Sequence, residues 1–170
     1  CLLLFVVGLA FPASAQDALG SDGGNATLTA HLGVLAKATS PAQQDSASGR
    51  VKTTLRKMLE ADDAFTHTFA GVPMSRIDAA DNKFRLFTWN LPRPDGSHRF
   101  EGMLLVQDKK RRVVYELRDM TEKITSPEVP ELGPDNWYGA LYYDAVVVTK
   151  GGKTYYTLLG WKGQSNSETQ

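Results

Sequence analysis

The segment from Trp137 to Thr149 constrains the fold of this chain more than any other. It reads Trp-Tyr-Gly-Ala-Leu-Tyr-Tyr-Asp-Ala-Val-Val-Val-Thr, apolar on both of the faces a strand presents. Such a strand is expected to lie centrally in a sheet, covered on both sides. Lys150-Gly151-Gly152-Lys153 comes next, and Thr154 to Trp161 is expected to return alongside. Paired glycines supply the positive φ angles of a two-residue hairpin turn, and the flanking lysines keep its tip in water.

More hairpins precede this one. Lys83 to Asn90 alternates, with Phe84, Leu86 and Thr88 pointing one way and Arg85, Phe87 and Trp89 the other. Pro92-Arg93-Pro94-Asp95-Gly96 is a turn, Arg99–Val106 a second strand, Asp108–Arg111 a charged turn and Arg112–Leu117 a third strand. Pro127, Pro130, Gly133 and Pro134 punctuate the connection 119–136 and argue against a regular element there. No helical crossover is visible after residue 65, so parallel pairing is disfavoured. The expected class is α+β: N-terminal helices, then a mainly antiparallel sheet, a meander of hairpins, from about residue 74.

The helices belong to the lean part of the chain. Residues 16–49 hold no aromatic side chain, whereas all but two of the aromatics fall between Phe65 and Trp161. The packed core is therefore expected in the C-terminal two-thirds. Leu28, Leu32 and Leu35 recur at helical spacing, but the segment reads as a tether with weak helices. Ser40-Pro41-Ala42-Gln43 is a capping box with proline at the first helical position. Gly49 interrupts the run that starts at Pro41, so the firm helix is placed over 51–61, where Val51, Leu55, Met58 and Leu59 make one stripe.

Residues 2–11 are apolar, no charge precedes Asp17, and Ala13-Ser14-Ala15 is an A-x-A cleavage pattern. The run is too short to span a bilayer, which takes ~20 residues. It reads as an export signal, residues 1–15, cleaved after Ala15, which places the protein in the periplasm or outside the cell. A lipid-bearing Cys1 would leave a greasy stretch next to its anchor, which fits less well. The divisions are thus signal 1–15, tether 16–49, β-rich α+β domain 50–162 and polar tail 163–170.

The 19 basic and 19 acidic side chains cancel, so neither a nucleic-acid partner nor a polyanion surface is expected. Cys1 is the one cysteine, which excludes a disulfide framework and thiolate zinc sites. There is no nucleophile elbow, Walker loop, dinucleotide fingerprint, calcium loop or histidine pair at metal-ligand spacing. No cofactor and no metal are expected. His31, His67 and His98 are expected at surfaces or edges.

Lys83-Phe-Arg-Leu-Phe-Thr-Trp-Asn90, Trp137-Tyr-Gly-Ala-Leu-Tyr-Tyr143 and Gly152-Lys-Thr-Tyr-Tyr-Thr-Leu-Leu-Gly-Trp161 carry a family likeness. Over roughly residues 50–165 the chain resembles a group of uncharacterised exported proteins of Bacteroidota. The resemblance implies a bacterial, extracytoplasmic protein and no particular activity, ligand or catalytic residue. Members of that group continue well past the point where this chain stops, so a fragment of a longer member is expected.

Three functions stay open. The first is a non-enzymatic binding or envelope-associated module, with Trp89, Trp137, Tyr138 and Trp161 as candidate ligand-binding aromatics and an envelope glycan or protein as partner. The second is a carboxylate hydrolase of the envelope. Its candidates are Asp144, which interrupts an apolar strand, with Glu101 or Glu116. The third is a purely structural domain. Exposure of the aromatics, and whether two of the carboxylates share a cleft, separate these readings.

Overall fold

The computed structural model describes residues 21–109, 111–128 and 131–163. The expected export signal, residues 1–15, and the residues after Gly163 lie outside the described residues. The described chain is α+β: helices α1 (Ser21–Ala36) and α2 (Pro41–Glu60) come first, then strands β1 (Ser75–Asp78), β2 (Phe84–Pro92), β3 (His98–Asp108), β4 (Arg111–Arg118), β5 (Leu141–Lys150) and β6 (Lys153–Trp161). β1 to β4 form one antiparallel sheet in sequence order, and β5 and β6 pair separately as a hairpin.

α2 begins where the capping box says it should. Ser40 accepts from the Gln43 N–H, and the Gln43 side chain accepts from the Ser40 N–H. It runs straight through Gly49, ten residues ahead of the expected start. An exposed glycine inside a helix costs only about 1 kcal/mol against alanine. Burial of Ser48, Val51, Leu55 and Leu59 on one face outweighs that.

The leucines of the expected tether are core. Leu28 is 0% exposed, and Leu28, Leu32 and Leu35 of α1 join Val51, Leu55 and Leu59 of α2 in one cluster with Phe87, Trp89, Leu91, Met103 and Leu105 of the sheet. The absence of aromatics misleads here, because leucines on two antiparallel helices bury enough apolar surface by themselves.

Strand alternation distributes the rest. Phe87, Trp89 and Leu91 face the helices, while Leu86 and, on β3, Phe100 face the other way, into a second cluster with Ile77, Leu117 and Trp137. β5–β6 lies over that second face: Leu141, Tyr142, Ala145 and Leu158 pack against it. The result is three layers, with helices, sheet and hairpin in that order. The doubly covered strands are β2 and β3. β5, expected in that central position, is covered on one side only, with Val146 and Val148 of the outer side about half exposed.

Gly151 and Gly152 both have positive φ, +59° and +73°, as the hairpin turn requires. At the other end a β-bulge inserts Tyr143: Tyr142 pairs with Gly160, but Asp144 pairs with Leu159. The hairpin is tied to the sheet by the Ser75 hydroxyl donating to the Tyr142 carbonyl, by the Tyr142 N–H donating to Thr88 Oγ1 at 3.1 Å, and by the Tyr156 hydroxyl donating to Asp81. At its base Trp137 exchanges backbone hydrogen bonds with Arg118 and Met120.

Candidate functional site

Between the sheet and the hairpin a cleft of about 800 Å³ remains. One wall is the hairpin-facing side of β2, β3 and β4, where Phe84, Leu86, Leu104, Val106 and Leu117 fall on alternate positions. The opposite wall is the inner side of β5–β6, with Tyr142, Tyr156 and Leu158; Trp137 and the turn Leu132–Pro134 close one side. Polar groups gather in one place, where Asp81 and Lys83 before β2 meet Gln107 and Asp108 at the end of β3. The Tyr156 ring stands edge-on to Phe84 at 4.9 Å between centroids. Its hydroxyl holds the Asp81 carboxyl below the usual range, and Asp81 in turn pushes the phenol up. A volume of this size with apolar walls, aliphatic and aromatic, and a few polar groups at one rim is the ordinary form of a small-molecule site.

Asp144 stands apart from Glu101 and Glu116, which border one shared pocket. Asp144 is exposed on the outer side of the hairpin, where its Oδ1 accepts from the Ala145 N–H. The bulge at Tyr143 turns it there; regular alternation after Tyr142 would have aimed it into the apolar layer. Glu101 and Glu116 lie on the helix-facing side of β3 and β4. Lys52 of α2 sits between them, with Nζ 2.6 Å from Glu101 and 2.9 Å from Glu116. Glu101 is buried and also accepts from Ser48 Oγ at 2.7 Å and from Arg99 at 2.9 Å. The hydrogen bond from Lys52 is the largest influence holding Glu116 below the usual carboxylate range. Burial alone would lower Lys52, but its two glutamates outweigh that and raise it. A glycosidase pair needs space for substrate between its carboxyls and one group still protonated. Here a lysine fills the space, so the pair fastens α2 to the sheet.

The four candidate aromatics do not make one platform either. Trp89 is core, with its indole N–H donating to Ser48 Oγ at 3.1 Å. Trp137 is buried but borders the cleft, its N–H directed to the Tyr142 hydroxyl. Tyr138 is half-buried under the Lys162 ammonium, 3.7 Å from the ring centre. Trp161 alone is exposed, stacked edge-on to His98. His67 is also not a surface residue: it is buried, bonded to Asn25 of α1 at 2.8 Å and packed edge-on to Phe69.

Two groups not singled out from the sequence as a pair meet at the end of the sheet. The Asp119 carboxylate accepts from the Phe100 N–H, the Thr121 N–H and the Thr121 hydroxyl. Burial alone would raise its pKa, but these bonds and the nearby Lys162 charge hold it below the usual range. Lys162, lowered by burial against the pull of Asp119, donates to Thr121 Oγ1 and to the Gly139 carbonyl. A carboxyl with a lowered folded pKa stabilises the protein fully above the unfolded value, about 4, and loses that contribution as pH falls through the folded value. Stability should therefore drop on acidification below about pH 4, and Asp119→Asn should flatten that limb. Urea midpoints measured against pH check this, and an unchanged slope in the variant counts against the assignment.

Among the described residues, no group of three or more histidine, cysteine or carboxylate side chains could hold a metal ion, and no helix is long and apolar enough to cross a membrane. Comparison with protein-family models, with curated proteins and with solved structures finds no match to this chain.

Proposed function

We propose that this chain is a non-enzymatic binding module of the bacterial envelope that takes an elongated apolar or amphipathic small molecule in the cleft between sheet and hairpin. The observation that carries this is the cleft itself: apolar walls of aliphatic and aromatic side chains, with Asp81, Lys83 and Asp108 at one rim. A chain of methylenes gains about 0.8 kcal/mol per buried CH₂ on such walls, and a polar head fits the charged rim. An envelope glycan suits the cleft less well, since its walls offer few hydrogen-bonding groups for hydroxyls. Export, as the setting of this activity, rests on the apolar residues 2–11 and the Ala13-Ser14-Ala15 pattern.

The test is titration with a fluorescent fatty acid. Saturable uptake of one molecule per chain is expected. Leu104→Trp, which fills the cleft from the sheet side, should weaken it roughly tenfold, about 1.4 kcal/mol. Absence of saturable uptake by the unaltered protein, or equal affinity in the variant, would overturn the proposal.

A further inference from the structure

The side of the β5–β6 hairpin that faces away from the sheet has a composition of its own. The register places four cross-strand pairs on it: Asp144 with Leu159, Val146 with Thr157, Val148 with Tyr155, and Lys150 with Lys153. Every one of these residues is exposed. Val146 is 47% exposed, Val148 50% and Tyr155 53%, in a strand whose sequence asks for cover on both sides. Of the nine large hydrophobic residues that are exposed among the described residues, four lie on this face: Val146, Val148, Tyr155 and Leu159. Such a concentration marks an interaction surface.

The order of residues on this face says what covers it. One end carries a carboxylate, the middle is apolar, and the other end carries two ammonium groups. Asp144 and Lys150 are separated by six residues, about 20 Å of strand. Rotating the face by a two-fold axis through its middle brings apolar residues onto apolar residues. The same rotation places Asp144 of each copy against Lys150 and Lys153 of the other. The face is thus its own complement, which is the condition for an isologous dimer. No other partner is needed to satisfy both its charge and its apolar centre.

We infer that this face pairs with the same face of a second copy of the chain, sheet on sheet, with two Asp144–Lys150/Lys153 contacts at the ends. The contact is small beside the ~800 Å² per partner of standard complexes, so the dimer should be a weak one. The Tyr143 bulge belongs to this surface, because it is what puts Asp144 outward.

The experiment is sedimentation velocity on the purified protein over about 5 to about 500 μM, a range that brackets weak association. The unaltered protein should shift from monomer to dimer. Asp144→Lys alone sets lysine against lysine at both ends, and Lys150→Asp with Lys153→Asp sets aspartate against aspartate, so each variant should remain monomeric. An equimolar mixture of the two should form heterodimers, because both ends are again complementary. Near-UV circular dichroism checks that each variant keeps its fold. Thr157→Arg, in the exposed middle of the face, abolishes pairing without touching the end charges and serves if a charge variant fails to fold. A protein that stays monomeric throughout overturns the inference, as does a mixture that fails to pair. So does a monomer that uses this face to bind phospholipid vesicles instead.

Discussion

Leu28→Ala is expected to lower the stability of the protein by about 3 kcal/mol, although Leu28 lies in the stretch that looks least like a folded domain. Its side chain is fully buried between the helices and the sheet, in the cluster that holds Leu55, Leu59 and Phe87. Truncation removes the transfer energy of the missing carbons and leaves a cavity that rigid neighbours on three elements refill poorly. For a domain of this size the loss should lower the melting temperature by roughly 10 °C. Val34, on the same helix but 48% exposed, is the control; Val34→Ala should change stability by less than about 0.5 kcal/mol. Thermal and urea unfolding of both variants provide the measurement. If Leu28→Ala costs no more than Val34→Ala, α1 does not unfold together with the rest.

Arg85→Met should cost about 3 kcal/mol through a different cause. Arg85 projects from β2 toward the helices and is 4% exposed. Its Nε and one terminal nitrogen reach the two oxygens of Asp78 at 2.7 and 3.1 Å, while the other terminal nitrogen donates to the carbonyls of Ala64 and His67. The guanidinium also lies 4.9 Å from the centre of the Phe69 ring. Phe69 has φ +46°, a conformation costly for a residue with a Cβ, and the cation above it helps to hold it there. Methionine keeps the volume but strips the donor from two carbonyls in a buried setting, each worth about 1–3 kcal/mol. Arg85→Lys should recover little, because an ammonium cannot serve three acceptors in one plane. Asp78→Asn should cost less, about 1 kcal/mol, since Asp78 is 39% exposed and an amide oxygen can still accept from the guanidinium. Equal losses for Arg85→Met and Asp78→Asn in urea would sink this account.

The local chemistry of the fold was legible. Ser40-Pro41-Ala42-Gln43 and Gly151-Gly152 announce a helix start and a hairpin turn by mechanisms that need no tertiary partner. Phe84 to Trp89 announces its two faces by alternation alone. Errors arose where a distant element decides. Gly49 stops a helix only if nothing pays for carrying it onward, and the sheet beneath α2 does. The apolar run of β5 looks like a doubly covered strand, but its outer cover is not supplied by the described residues. The outward side of Asp144 could not be read either, because the bulge that sets it has no signature of its own in Tyr142-Tyr143-Asp144. The cleft was invisible for a related reason: Leu104 and Leu158 are 54 positions apart, and each reads singly as core. Arg85 could not be told from a solvent-facing arginine, because two of its acceptors are backbone carbonyls 21 and 18 residues earlier.

The two walls of the cleft belong to units that are hydrogen-bonded separately, the four-stranded sheet and the hairpin. For the hairpin to swing outward, no strand has to part from its neighbour; the bonds at Ser75, Thr88 and Asp81 and the apolar contacts must open. Such a motion is a local opening with a free energy well below that of global unfolding. The elongated ligand proposed for the cleft would then enter sideways along the seam, without being threaded through an end.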